Sequence, residues 1–76
     1  MDLAIAIGIT LRKLRKEANL SQEALALICG IDRTYISSLE RGKRQPTLKV
    51  IFAISSAINI SPSVFVSEVE REYHLD

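Results

Sequence analysis

Residues that start and stop helices recur along this 76-residue chain at intervals too short for long helices. Ser21, Thr47 and Ser61 each precede an apolar segment, and their hydroxyls can accept hydrogen bonds from the free amides of a first helical turn. Gly30 and Gly42 stand where a helix ends in a residue that tolerates positive φ. The pattern predicts five helices, at about residues 2–18, 22–29, 33–41, 48–58 and 62–72.

Length and composition narrow the fold class. A chain of this size buries only about 60% of its unfolded surface and cannot divide it between two cores. Hydrophobic residues make up 47% of the sequence and Trp is absent, so aliphatic side chains at helical spacing must form the core. Apolar residues also alternate between Leu3 and Leu11, which is a strand pattern, but the intervening alanines favour helix and no later segment offers a partner strand. We expect an all-α fold, a compact five-helix domain spanning residues 1–76.

The sequence lacks the residue sets that several other classes of protein need. It has no paired carboxylates, no nucleophile with a base and no phosphate-cradling glycine loop, so we do not expect an enzyme. His74, the only histidine, cannot build a zinc site alone, and we expect no metal, cofactor or small-molecule ligand. Cys29, the only cysteine, is expected to pack as a small core residue and fits a reducing compartment. The apolar segment 3–9 is too short to span a bilayer, so we expect a cytoplasmic protein without a membrane partner.

Charge is distributed unevenly along the chain. The formal net charge is only +1, but residues 33–49 carry five basic side chains and one acidic side chain. Residues 60–76 carry one basic and four acidic side chains. One face of the molecule should therefore be positive although the whole chain is nearly neutral.

The third predicted helix has two chemically different sides. At 100° per residue, Ile36, Leu39 and Glu40 fall on one side. The other side carries hydroxyls and arginines: Arg33, Thr34, Ser37, Ser38 and Arg41. These side chains suit the DNA major groove. There, arginine can donate two hydrogen bonds to guanine, hydroxyl groups can donate to or accept from base edges, and the threonine methyl can contact the thymine methyl. Taken alone, the pattern also fits an ordinary solvated helix face.

Residues 22–40 resemble the helix-turn-helix of phage Cro and repressor-type regulators, the XRE family. The packing positions of that motif are occupied here by Leu25, Ala26, Gly30, Ile31, Ile36 and Leu39. The resemblance extends to residues 11–15 and 46–48 and so covers nearly the whole chain. Residues 32–37, followed by Glu40 and Arg41, further resemble the recognition helix of restriction-modification controller proteins. Prophage repressors and antitoxins are the alternatives within the same scaffold.

The resemblance implies roles for individual residues on DNA. The implied base-reading residues are Arg33, Thr34, Ser37 and Ser38, and the implied backbone-binding residues are Gln22, Tyr35, Lys43, Arg44 and Gln45. Arg44 has the minor groove as an alternative, and Tyr35 has the alternative of a partly buried boundary aromatic. Lys49 is expected to be merely solvated. The resemblance also implies an ion pair between Arg15 and Glu40, and the inward position of Glu40 supports it because an unpaired buried carboxylate is costly.

The family's use of palindromic sites implies a homodimer, since one short helix reads too few base pairs. On the fourth helix Leu48, Ile51, Ile54 and Ile58 define an inward stripe, with Val50, Ala53 and Ala57 on the other side. We expect helices four and five to form the dimer interface, with Ile60, Val64 and Phe65 at its centre and Val50 also part of it. For Ile60 and Phe65 the alternative is a place in the core of one chain.

The function expected from these observations is that of a dimeric, sequence-specific regulator bound to double-stranded operator DNA. Such a protein changes promoter access for RNA polymerase, which is therefore a candidate further partner. The competing class is a protein-binding module, such as an antitoxin whose main partner is another protein.

Overall fold

A computed structural model describes residues 1–74 and contains five α-helices without strands in that range. The helices are α1 (Leu3–Glu17), α2 (Gln22–Cys29), α3 (Arg33–Glu40), α4 (Leu48–Ala57) and α5 (Pro62–Tyr73). Each boundary lies within one residue of the position predicted from the sequence, and the all-α prediction is confirmed. The strand alternative for the first ten residues is wrong, because α1 is helical from Leu3 onward.

Side-chain caps explain where the helices begin. Ser21, Thr47 and Ser61 each accept a hydrogen bond from the amide three residues later, at 3.0–3.2 Å. Asp2 and Asp32 each accept from the amide two residues later, at 2.7 and 3.2 Å. Each cap satisfies one of the amides that a first turn leaves without a helical partner, which fixes the start of the helix.

Residues in the left-handed conformation explain where four of the helices end. Gly30 and Gly42 have φ of 68° and 71°, as the sequence predicted for helix ends. Asn19 and Asn59 take the same conformation after α1 and α4, with φ of 61° and 64°. Asparagine enters this region more readily than most residues because its short polar side chain can bond locally.

The core lies where α1 meets α3 and α5, and where α2 and α4 close over it. Its fully buried large apolar side chains are Leu11, Leu25, Ile36, Leu39, Ile54 and Phe65. In residues 1–74 no single helix is long and apolar enough to cross a membrane, and α4 with α5 reach that length only together, across a 104° bend.

The position of α4 differs from the sequence prediction. Ile54 and Ile58 are buried as predicted, but Leu48 is 67% exposed, so its assignment to the inward stripe is wrong. Val50 and Ala57, predicted to lie opposite that stripe, pack against the core. The reason is that α4 contacts both α2 and α5. These contacts bury more of the helix surface around Ile54 than a single stripe would, and they leave the Leu48 side exposed to solvent.

Candidate nucleic-acid interface

A three-residue turn sets the angle between α2 and α3. Gly30 adopts φ 68° and ψ 31°, and its N–H donates to the carbonyl of Leu27 at 3.3 Å. The N–H of Ile31 donates to the carbonyl of Ala26 at 3.0 Å, which closes the end of α2. Cys29 packs against the core here, and burial raises the pKa of its thiol. The turn then delivers the chain to the cap at Asp32, so α3 starts at a fixed angle to α2.

The two sides of α3 are separated as the pattern predicted. Ile36 and Leu39 are fully buried, whereas Arg33 and Thr34 at the start of the helix are exposed. The remaining predicted base-reading residues, Ser37 and Ser38, are half-buried on the outward side. An eight-residue helix is about 12 Å long, which matches the roughly 12 Å width of the major groove.

A basic loop follows α3 and continues the positive charge of its outward side. Lys43, Arg44 and Gln45 are all exposed, and the N–H of Lys43 donates to the carbonyl of Ser38 at 3.0 Å. The Arg44 guanidinium lies 5.2 Å from the centroid of the Tyr35 ring, within the range of a cation–π contact. Tyr35 is half-buried and packs against the core, so it is the boundary aromatic of the sequence alternative and also a support for Arg44.

The predicted ion pair between α1 and α3 is present. Nε and Nη2 of Arg15 donate to the two carboxylate oxygens of Glu40 at 2.6 and 3.0 Å. Nη1 of Arg15 also donates to the carbonyl of Leu20, at 2.8 Å, between α1 and α2. The side chains of Arg15 and Glu40 are only 9% and 2% exposed. The hydrogen bond to Glu40 raises the pKa of Arg15, against the opposing effect of burial.

Gln22 joins this ion pair, which sequence analysis did not foresee. Its Nε2 donates to Oε1 of Glu40 at 3.0 Å, from the first residue of α2. Helical spacing relates residues within one helix and carries no signal for a contact across 18 positions. Gln22, the predicted phosphate-binding residue, is therefore hydrogen-bonded to the last residue of α3.

The predicted interface residues are not all at the surface. Phe65 is 1% exposed in the core of its own chain, so its assignment to the centre of a dimer interface is wrong. The reason is that Phe65 faces inward on α5 and fills the core that α4 and α5 share. Val50 and Ile60 are half-buried against the core, and Val64 is 47% exposed.

An exposed aromatic side chain on α4 was not predicted from the sequence. Phe52 is 56% exposed and, with Ile60 and Pro62, lines an open hollow of about 470 Å³. The available signal was its position four residues after Leu48, which places the two apolar side chains on the same side of α4.

A polar, basic helix face presented by a three-residue turn within a five-helix bundle defines a helix-turn-helix DNA-binding domain. The Helix-turn-helix family model matches residues 11–65. The control protein C.MunI of Mycoplasma sp is 44% identical over 72 residues, which cover 93% of this chain and 97% of that protein.

Two solved structures of restriction-modification controller proteins are also similar to this chain. The restriction-modification controller protein C.AhdI from Aeromonas hydrophila matches with a TM-score of 0.78 and 39% identity, over 82% of this chain and 94% of its own. The controller protein C.Esp1396I, solved as a tetramer in complex with its natural 35 base-pair operator, matches with a TM-score of 0.84 and 33% identity over 95% of each chain. The present chain belongs to the helix-turn-helix family, in the group of restriction-modification controller proteins. The predicted function of a DNA-binding transcription regulator is thereby confirmed.

Proposed function

We propose that this chain, acting as one unit over residues 1–76, binds a palindromic operator as a homodimer and regulates transcription in a restriction-modification system. The observation that carries the proposal is the outward side of α3, which keeps Arg33 and Thr34 exposed beside a basic loop. Ile36 and Leu39 anchor the opposite side in the core, so the exposed side is held rigidly for recognition.

Base reading belongs to α3 in this proposal. Arg33, at the first position of the helix, donates two hydrogen bonds to a guanine. Thr34 contributes a hydroxyl and a methyl group next to it, and Ser37 and Ser38 contact bases farther along the groove. Contacts of this kind decide which sequence is bound.

Backbone binding belongs to the residues on either side of α3. Lys43, Arg44 and Gln45 bind phosphates on one side, with Arg44 supported by the Tyr35 ring. Gln22 binds a phosphate on the other side, where the positive end of the α2 dipole adds to its N–H donor. These contacts set the register of α3 in the groove.

The second copy in the homodimer covers the exposed apolar surface of α4 and α5. We call this surface the α4–α5 patch and define it by Phe52, Ile60, Pro62 and Val64. An aromatic side chain more than half exposed beside a hollow is a typical anchor for a partner surface. The tetramer of C.Esp1396I on its operator supports self-association as the mode of binding.

The cellular setting follows from this role. A regulator of promoter DNA works in the bacterial cytoplasm, and RNA polymerase is the protein whose access to the promoter it changes. The family is one of DNA-binding regulators, and we propose no catalytic activity for this chain.

A protein-binding module, such as an antitoxin, is the second candidate. The observation that favours it is a second apolar surface, on α2, where Leu27 is 82% exposed and Ile28 is 59% exposed. A module that acted only through this surface would bind its partner with little dependence on salt, because apolar contacts release no counterions.

Selection of duplexes from a random-sequence pool, followed by binding measurements across salt concentrations, tests the proposal. We expect enrichment of a palindrome and a log-log salt slope of about −0.9 per phosphate neutralised. Lys43→Ala should make the slope shallower by about one per subunit, whereas Lys49→Ala, the matched control, should leave it unchanged. If no duplex sequence is enriched and duplex binding does not depend on salt, the proposal is rejected in favour of the protein-binding module.

A further inference from the structure

The carboxylate of Glu40 gathers hydrogen bonds from two other helices at one point. Its Oε2 accepts from Nε of Arg15, and its Oε1 accepts from both Nη2 of Arg15 and Nε2 of Gln22, the last two at 3.0 Å. Arg15 in turn holds the carbonyl of Leu20, in the connection between α1 and α2. One carboxylate therefore links α1, the start of α2 and the end of α3.

This geometry restricts the side chain of Gln22. The Glu40 side chain is 2% exposed and bound on both oxygens, so it offers Gln22 a fixed acceptor. A glutamine carboxamide has two N–H donors, and only one of them is needed for the bond to Glu40. The second N–H is free to donate to a phosphate, and a side chain already ordered loses less conformational entropy when it binds.

We propose that Glu40 is a positioning residue for DNA binding, which acts by fixing the Gln22 carboxamide so that its second N–H donates to a backbone phosphate. The inference rests on the proposed function, because it requires that Gln22 lie against DNA. Glu40 itself is buried and does not touch the duplex. Its effect on affinity therefore passes through Gln22.

A purely structural role for Glu40 makes a different prediction. If the carboxylate only held α1 to α3 through Arg15, its loss would disturb α3 and weaken DNA binding whether or not Gln22 were present. The two roles are separated by the coupling between substitutions at positions 40 and 22, which a double-mutant cycle measures.

The experiment measures the dissociation constant of a duplex selected from a random-sequence pool, with each variant shown by thermal melting to be folded at the temperature used. Gln22→Ala should weaken binding about tenfold per subunit, the size of a charge-assisted hydrogen bond. Glu40→Gln should weaken binding severalfold in the native background and less than about twofold in the Gln22→Ala background.

The matched control repeats the cycle with Lys43 in place of Gln22 as the second position, because Lys43 is a proposed phosphate-binding residue that does not touch Glu40. In a Lys43→Ala background, Glu40→Gln should keep its full severalfold effect. An equal effect of Glu40→Gln in all three backgrounds would overturn the inference while leaving the proposed function intact. Failure of the native protein to bind any duplex would overturn both.

A measurement on the native protein covers the case in which Glu40→Gln does not fold. The two side-chain amide protons of Gln22 give separate signals in a nitrogen–proton correlation spectrum. We expect an ordered side chain in the free protein, with one proton signal moving when the duplex is added and the other nearly stationary. A mobile free side chain, or no change in either signal, would contradict the inference.

Discussion

The side of the molecule where α1 crosses α3 and the side where α4 meets α5 are packed in different ways. On the first side the polar groups satisfy one another, with the Arg15–Glu40 pair and Gln22 bonded inside the chain. On the second side Phe52 and Val64 remain exposed, and Phe52 lines an open hollow.

The difference shows which contacts one chain can complete alone. The proposed recognition of DNA by α3 requires a fixed helix, and the support of α3 by α1 and α2 is present in a single chain. The α4–α5 patch is apolar and uncovered, which is the state expected of a surface that a second copy covers. We therefore expect substitutions on the first side to change stability and substitutions on the second side to change association.

The largest expected effect is on the first side, from Arg15→Ala. Loss of Arg15 leaves the buried carboxylate of Glu40 without its cation, which should lower the free energy of unfolding by roughly 3 kcal/mol. Arg71→Ala is the matched control, because it breaks an exposed pair with Glu68 whose arginine is 75% exposed. Thermal melting checks both variants. Equal melting temperatures for the two variants would show that the buried pair stabilises the fold no more than the exposed pair does.

A second test on the same side uses the close approach of α1 to α3. A Cβ at Gly8 would lie 2.5 and 2.6 Å from the carbonyl oxygens of Leu39 and Glu40. Because both atoms belong to the backbone, Gly8→Ala should push the helices apart and cost about 2 kcal/mol of stability by denaturant unfolding. Ser67→Ala, on the exposed face of α5, is the control and should have little effect. A Gly8→Ala protein as stable as the control would mean that the two helices can separate freely.

The second side is tested by Phe52→Ser. We expect its self-association constant in sedimentation experiments to fall at least tenfold, because an exposed aromatic anchor is lost, while the stability of the dilute monomer changes little. Leu27→Ser removes an apolar residue from α2 that is more exposed than Phe52, at 82% against 56%, and should leave association unchanged. Native protein that sediments only as a monomer at micromolar concentration would contradict the proposed dimer.

The smallest expected effect is a gain in stability on the second side. Ser55 in α4 is fully buried, and its hydroxyl has no hydrogen-bond partner among residues 1–74. Ser55→Ala should therefore raise the free energy of unfolding by up to about 1 kcal/mol in denaturant titrations, because an unsatisfied buried hydroxyl is removed. A loss of stability would contradict the claim that the unsatisfied hydroxyl of Ser55 is a net cost to the fold.

The sequence was sufficient to predict the helices and the two chemically different sides of α3. Caps and helix ends are local signals, so the prediction at Ser21, Gly30 and Asp32 did not depend on knowing the tertiary structure. The outward side of α3 followed from its periodicity in the same way.

Contacts between distant segments could not be predicted in this manner. The inward position of Phe65 and the exposure of Phe52 depend on the angle at which α4 and α5 meet, which periodicity does not encode. The bond from Gln22 to Glu40 and the tight packing at Gly8 likewise require the assembled backbone. The ion pair of Arg15 with Glu40 was accessible only through resemblance to a family.

The most direct test of the claim that α3 reads DNA is the binding of Arg33→Ala to every single-base variant of the selected duplex. We expect a loss of about 1 to 3 kcal/mol in binding free energy for the preferred sequence and relaxed discrimination at one base position in each half-site. Lys43→Ala should weaken binding to all the variants by the same factor. A uniform loss for Arg33→Ala, with discrimination intact at every position, would contradict the claim.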